Sequence, residues 1–190
     1  MPTIDHVNLF LTWGEVEGIV CSGIDKGKKT TYALLDERVP PTRELCREEA
    51  LARLASRYFQ SHSPAQLQDF VWWSGLTATE CRLAINLIKT ELITETFDSR
   101  EYFIHQSWKG KNESKPVLRL LPAFDEYLIS YKNRTDVLPL EHHPKAFNRF
   151  GTFYPVILYN GKIIGNWSRS IKKNTIQIEM DFSRRSPAFQ

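Results

Sequence analysis

Between residues 63 and 89 the sequence "SPAQLQDFVWWSGLTATECRLAINLIK" carries two helix starts separated by one glycine turn. In the first, Ser63 is placed as N-cap, Pro64 as the first helical residue and Gln66 as the return partner of a capping box. Leu67, Phe70 and Val71 then share one face, and Gly75 stands where a left-handed C-cap is wanted. The device repeats at once, with Thr77 as cap and Glu80 reaching back to it. Cys81, Ala84, Ile85 and Ile88 make the apolar stripe of the second helix. Two short helices, each with one apolar face and a bend too tight for slack, form a helix-turn-helix.

The flanks extend that unit. "REEALARLASRYF" puts Leu51, Leu54, Ala55 and Tyr58 at helical spacing ahead of it. "ELITETFDSREYFIH" follows: Ile93 and Phe97 alternate with polar residues, the chain turns at "DSR", and it returns through Tyr102 and Ile104. Three helices and a hairpin in this order are the winged-helix arrangement. The first forty residues read as its back half repeated. "TIDHVNLFLTWGEVEG" is one amphipathic helix, "IVCSGIDKGKKTTYALLD" a hairpin around a glycine turn, and Glu17 and Tyr32 correspond to Glu91 and Tyr102. "RVPPTRELC" and "QSWKGKNESK" read as linkers. Beyond the second, the sequence turns β-like, and Asn160-Gly161 between apolar runs is the preferred type I′ hairpin turn. The expectation is an α+β chain. Residues 1–39 form a helix plus wing hairpin of a partial unit, 44–107 a winged helix-turn-helix unit, and 116–183 a small antiparallel sheet or barrel with helical interruptions.

Composition narrows the class of function. A hydrophobic share of 42% and a charged share of 25% are those of a packed globular chain. A net charge of +3 permits a basic face without imposing one. Cys21, Cys46 and Cys81 are far apart and in no C-x-x-C pair, which argues against a zinc site or disulfide framework and for a reducing compartment. Adjacent residues such as His142 and His143 rarely converge on one ion, and no other His or Cys lies at ligand spacing, so neither a metal nor a cofactor is expected. No apolar run has membrane-spanning length, and "MPTIDHVNLF" lacks a leader pattern, so the cytoplasm is the expected compartment.

Three basic or polar groupings are candidate DNA contacts. Thr79, Arg82 and Asn86 form a row on the outer face of the second helix of the helix-turn-helix, where Arg matches guanine and Asn matches adenine in the major groove. Lys26, Lys28 and Lys29 surround Gly27 at the tip of the first hairpin, suited to phosphates. Arg169, Lys172 and Lys173 lie in a C-terminal segment interleaved with Trp167 and Phe182, which suits charge plus stacking. Each grouping is also what a solvated helix face or loop tip carries, and a protein-docking module would show the same pattern. The expected partner is double-stranded DNA.

The stretch "LRLLPAFDEYLISYKNR", residues 118–134, pairs Asp125 with Glu126. Adjacent carboxylates point apart on a strand or a helix, so they do not converge on a substrate. An ion pair from Asp125 to Lys132 or Arg134, tying a bend after Pro122, is the simpler expectation.

The phrases "YALLDERVP", "SPAQLQDFVWWSGLT", "LRLLPAFDEYLISYKNR" and "YNGKIIGNWSR" resemble the winged-helix DNA-binding family that includes the AlkZ-type DNA glycosylases. The resemblance runs from about residue 6 to 182. It implies tandem winged-helix units followed by a small β-barrel. In active members it implies excision of alkylated or crosslinked purines without a metal, by a water aided by a Gln-x-Gln-type motif. That motif belongs to the N-terminal part of the family, ahead of the region matched here. Gln66-x-Gln68 has the same letters in a later unit, so the role is not transferred and no catalytic residue is assigned.

Overall fold

A computed structural model describes residues 6–27, 29–110, 115–173 and 175–182. The chain divides into two compact units, residues 1–45 and 46–190.

In the first unit the amphipathic stretch forms α1 (His6–Val16). A short hairpin follows, β1 (Val20–Ser22) paired antiparallel with β2 (Tyr32–Leu34), and then one helical turn, α2 (Leu35–Arg38). Leu11 and Gly14 are the half-buried positions of α1, whereas Phe10 and Trp13 are 74% and 66% exposed. None of the described residues of this unit is fully buried.

The second unit opens with α3 (Arg47–His62), α4 (Leu67–Ser74) and α5 (Ala78–Leu87). Their apolar stripes meet: Leu51, Ala55, Tyr58, Phe59, Phe70, Cys81, Ala84 and Ile88 form one buried cluster. Truncating a buried phenylalanine such as Phe70 costs about 3–5 kcal/mol in cores of this kind. Gly75 ends α4 at φ +70°, its N–H donating to the Val71 carbonyl at 3.1 Å. Thr77 and Glu80 make the expected capping box, with Thr77 N to Glu80 Oε2 at 2.9 Å and Glu80 N to Thr77 Oγ1 at 3.3 Å.

The start of α4 differs from expectation. Ser63 is the C-cap of α3, not an N-cap, and α4 begins three residues later with Gln66 as its cap. The reason is tertiary. Ser63 Oγ donates to the Phe59 carbonyl and accepts the His105 N–H at 2.7 Å, and residues 63–66 run extended so that Ala65 and Phe103 exchange backbone hydrogen bonds at 3.1 and 2.8 Å. The cap of α4 is completed by Asp69, whose Oδ2 accepts the Gln66 N–H at 3.0 Å.

The hairpin β3 (Leu92–Phe97) and β4 (Arg100–His105) follows, turning on Asp98 and Ser99, both at positive φ. His105 is buried and locks this hairpin to the helices. The Ser107 N–H donates to its Nδ1 at 3.1 Å, which leaves Nε2 as the protonated nitrogen, donating to Glu91 Oε2 at 3.3 Å. Ser56 Oγ on α3 donates to the same Glu91 oxygen at 2.7 Å. The Ser56 bond first, and His105 second, hold the Glu91 carboxyl below the usual carboxylate range. A folded pKa below the unfolded one stabilises the fold above the ordinary value of 4.5, and the contribution is lost as pH falls through the lowered value. The difference in melting temperature between the parent and Glu91→Gln should therefore be constant above that range and shrink below it. A difference unchanged down to pH ~3 would remove Glu91 from this role.

The rest is a four-stranded antiparallel sheet in the order β5 (Leu118–Leu121), β6 (Val156–Tyr159), β7 (Lys162–Lys172) and β8 (Thr175–Phe182). Asn160 and Gly161, at φ +46° and +80°, make the expected tight turn between β6 and β7. One-turn helices α6 (Glu126–Ile129) and α7 (His143–Ala146) interrupt the segment between β5 and β6. Leu128, Leu138, Ala146, Phe153, Val156 and Ile163 form the second core cluster beneath the sheet. Among the described residues the strands pair as a ladder with β5 and β8 at its two ends. At Gly165, beside a β-bulge in β7, a Cβ would stand 2.2 Å from the Asp181 carbonyl oxygen, so only glycine allows β8 to approach.

Candidate nucleic-acid interface

Residues 118–134 join the helical part of the second unit to its sheet. Asp125 does not pair with Lys132 or Arg134, as expected from sequence; its Oδ1 caps α6 by accepting the Tyr127 N–H at 2.9 Å. Glu126 accepts from the Ser130 hydroxyl and lies 3.7 Å from His62 Nε2. Tyr58 and Trp72 donate to the carbonyls of Ser130 and Ile129, at 3.2 and 2.9 Å, and Tyr131 donates back to His62 O at 2.9 Å. Burial pushes the Tyr131 phenol up to about 12, so it stays a neutral donor. Arg134 donates through Nε and Nη1 to the Leu128 and Lys132 carbonyls, its buried Nη2 has no hydrogen-bond partner among the described residues, and the guanidinium lies over Phe153, Phe147 and Trp72 at 5.2–5.5 Å. The stretch is a scaffold junction, and its two acids have structural partners.

The row Thr79, Arg82 and Asn86 on α5 is exposed, opposite the buried Cys81, Ala84 and Ile88. Arg82 borders an open groove of about 450 Å³ that also takes in Gln68, Trp72 and Lys132. Sequence reading missed this grouping. Gln68 and Trp72 are one helical turn apart on the outer side of α4, which was legible. Lys132 arrives from 60 residues away because Asp69 Oδ1 accepts its backbone N–H at 2.9 Å, which was not. Trp72 is 51% exposed with its ring fixed by the bond to Ile129, so a cationic groove has a rigid aromatic wall.

Strand register sorts the C-terminal cluster. Arg169 pairs with Ile178 and Ile171 with Ile176, while Lys172 pairs with Thr175 and Ser170 with Gln177. Alternation places Arg169 with Ile171, Ile176 and Ile178 on one face and Lys172 with polar residues on the other. Lys173, at φ +50°, occupies the tip. All three basic residues are exposed, and so is the apolar face, with Ile171 at 65%. The hairpin is rooted by Trp167 Nε1 donating to Leu121 O at 2.7 Å, and by Asn166 Nδ2 donating to the carbonyls of Lys145 and Pro155 at 2.9 and 3.0 Å.

In the first unit Lys26 and Lys29 exchange backbone hydrogen bonds at 3.1 and 3.2 Å around Gly27, exposing both side chains at a tight tip; Lys28 lies outside the described residues. Among the described residues no group of three or more His, Cys, Asp or Glu side chains is placed to hold a metal ion. No described helix is long and apolar enough to cross a membrane.

An α+β chain of this element order has a known counterpart. The structure of the Streptomyces sahachiroi DNA glycosylase AlkZ superposes with a TM-score of 0.72 over 97% of this chain and 54% of that one, at 21% identity. The sequence is also 25% identical over 170 residues to an interstrand DNA cross-link repair glycosylase of Streptomyces sahachiroi, covering 82% of this chain and 46% of the relative. The family described as DNA glycosylase AlkZ-like matches residues 9–188, and the chain belongs to it. It spans about half the length of the relatives it matches.

Proposed function

We propose that this chain binds duplex DNA as a winged-helix protein, with α5 set against a groove and with Lys26, Lys28 and Lys29 and the β7–β8 hairpin on phosphates. The observation that carries the reading is the exposed Thr79–Arg82–Asn86 row on the second helix of a tight helix-turn-helix, beside a cationic groove walled by Trp72. The backbone pairing of Ala65 with Phe103 supports the winged-helix assignment, because it sets a one-residue β-bridge beside β4 of the hairpin. Lysines at a turn supply charge without reading sequence, so binding is dominated by phosphates and little base specificity is expected. Titration of a labelled random duplex at low salt tests this. Binding should be measurable at about 50 mM salt and fall steeply by about 200 mM, and no binding at the lower concentration would overturn it.

A second reading is that these residues form the DNA-positioning portion of a DNA glycosylase acting on alkylated or crosslinked purines. Family membership and the half-length match support it. Gln66 caps α4 and Gln68 is exposed on its outer side, which supports leaving them out of the chemistry. On this reading the isolated chain binds alkylated duplex and releases no base from it; release of free base would place a catalytic group within these residues.

A further inference from the structure

The turn between α7 and β6 is organised by one side chain. Asn148 Oδ1 accepts the N–H groups of Phe150 and Thr152 at 2.9 and 3.1 Å, and its Nδ2 donates to Tyr154 OH at 3.1 Å. The backbone closes around it: Asn148 N–H donates to Thr152 O at 3.0 Å and Gly151 N–H to Asn148 O at 3.1 Å, with Gly151 at φ +81°. Phe147 and Phe153 pair beneath the turn, their rings 5.1 Å apart, and Phe153 belongs to the second core cluster. A turn bonded at each of these positions holds its tip in place. That tip is Arg149 and Phe150. Phe150 is 78% exposed, and the Arg149 guanidinium lies over its ring at 4.7 Å. Among the described residues no carboxylate pairs with Arg149.

One exposed phenylalanine is ordinary on a protein surface. Position makes this one informative. β6 begins at Val156, paired with Asn166, and β7 runs on from Trp167 to Lys172 with β8 beside it. The turn therefore enters the sheet at the end from which the basic hairpin leaves. Their roots are tied together. Asn166 Nδ2 donates to the carbonyls of Lys145 and Pro155, one on each side of the turn, and Trp167 N–H donates to Pro155 O at 3.4 Å. Asp181, an acid at this root, is taken by Lys145 at 3.5 Å. A hairpin carrying Arg169, Lys172 and Lys173 and a fixed Arg–Phe tip thus leave one end of one sheet. Cations placed for phosphates with an apolar ring beside them are the parts of a DNA wedge, in which the ring enters between two base pairs, partly unstacks them and kinks the duplex by about 20–90°. The surrounding positive charge favours a polyanion over an apolar protein patch as the surface that Phe150 meets. We propose that Phe150 is such a wedge, with Arg149 on the adjacent phosphate, so that the chain kinks the duplex it holds. The proposal rests on the DNA-binding reading above.

The shape of the bound duplex is the test. A duplex of about 30 base pairs carries a dye at each end and a central TA step, which unstacks easily. Saturated with the parent chain at about 50 mM salt, it should show raised end-to-end energy transfer. Phe150→Ala should bind with the parent's salt slope and return the energy transfer to that of the free duplex, whereas Phe150→Trp should keep the kink. The parent should also bind the TA duplex about 5-fold tighter than one with a central A-tract, a preference that Phe150→Ala loses. Arg149→Ala should flatten the salt slope by about 0.9, and an unchanged slope would take Arg149 off the phosphate. Parent binding without a change in energy transfer, or equal kinking by Phe150→Ala, would overturn the wedge and leave the DNA-binding reading standing. Absence of duplex binding by the parent would end both. The parent's energy transfer needs no variant, so it decides even where a substitution disturbs the turn.

Discussion

Replacing Asp69 with alanine should lower the stability of the second unit by about 3–4 kcal/mol, a fall in melting temperature of about 10 °C. Asp69 is 3% exposed, yet its two oxygens accept three backbone N–H groups: Gln66 at 3.0 Å, Lys132 at 2.9 Å and Asn133 at 3.4 Å. The first caps α4, and the other two fix the loop that follows α6, so one carboxylate couples the helical cluster to the sheet. Alanine removes the acceptor and leaves three partly buried donors without it, which costs more than the net value of the bonds themselves. An asparagine side chain in its place would keep one acceptor and turn an NH₂ toward a donor, so Asp69→Asn should lose about half as much. Asp125→Ala is the internal comparison. Asp125 accepts one N–H, at the start of a one-turn helix, and its loss should cost about 1 kcal/mol. Equal melting temperatures for the Asp69→Ala and Asp125→Ala variants would refute the coupling role. The measurement is thermal unfolding followed by circular dichroism.

That role marks where sequence reading stops. Signals whose partners lie within four residues were legible: the Thr77–Glu80 capping box, the left-handed Gly75, the Asn160-Gly161 turn and the stripe of Cys81, Ala84 and Ile88. Ser63, Pro64 and Gln66 carried an equally good local signal and misled, because Ser63 Oγ is occupied by Phe59 and by His105, 42 residues away. A cap is a competition for one oxygen, and a distant N–H won it. The same limit explains Asp125 and Lys132. Charge complementarity at short spacing predicted an ion pair, whereas the backbone N–H groups of Tyr127 and, for Asp69, of Lys132 were the nearer donors. Of the candidate interface, the exposed row on α5 followed from periodicity. The groove that adds Trp72 and Lys132 to Arg82 followed from contacts across 60 residues, which no local pattern encodes. In the C-terminal cluster, residue type was legible but face was not, since only the register of β7 against β8 separates Arg169 from Lys172.

That separation by face leads to the second large effect, a graded loss of DNA affinity from three sets of substitutions. Removing Arg169, Lys172 and Lys173 together should weaken duplex binding by on the order of 10–100-fold at moderate salt and flatten the salt dependence by about 2.7 log units per log unit. The hairpin is long, exposed and rooted by Trp167 and Asn166, so its tip presents charge without the rest of the sheet having to move. Lys26→Ala with Lys29→Ala should act the same way at about two-thirds of the change in slope, since a lysine at a turn neutralises a phosphate and reads nothing. Arg82→Ala should behave differently. An arginine in an exposed helical row would lose about 1–3 kcal/mol only where it met a guanine, and that loss would depend on the duplex sequence. A loss independent of sequence, with a slope change of about 0.9, would make Arg82 one more phosphate contact. Single substitutions on the hairpin carry a further distinction. Arg169 shares its face with Ile171, Ile176 and Ile178, whereas Lys172 lies on the opposite face. If one face of the hairpin meets DNA, Arg169→Ala and Lys172→Ala should have unequal effects, and the larger identifies that face. Equal effects would put the contact at the tip, around Lys173, and an unchanged salt slope in the triple variant would take the hairpin out of the interface.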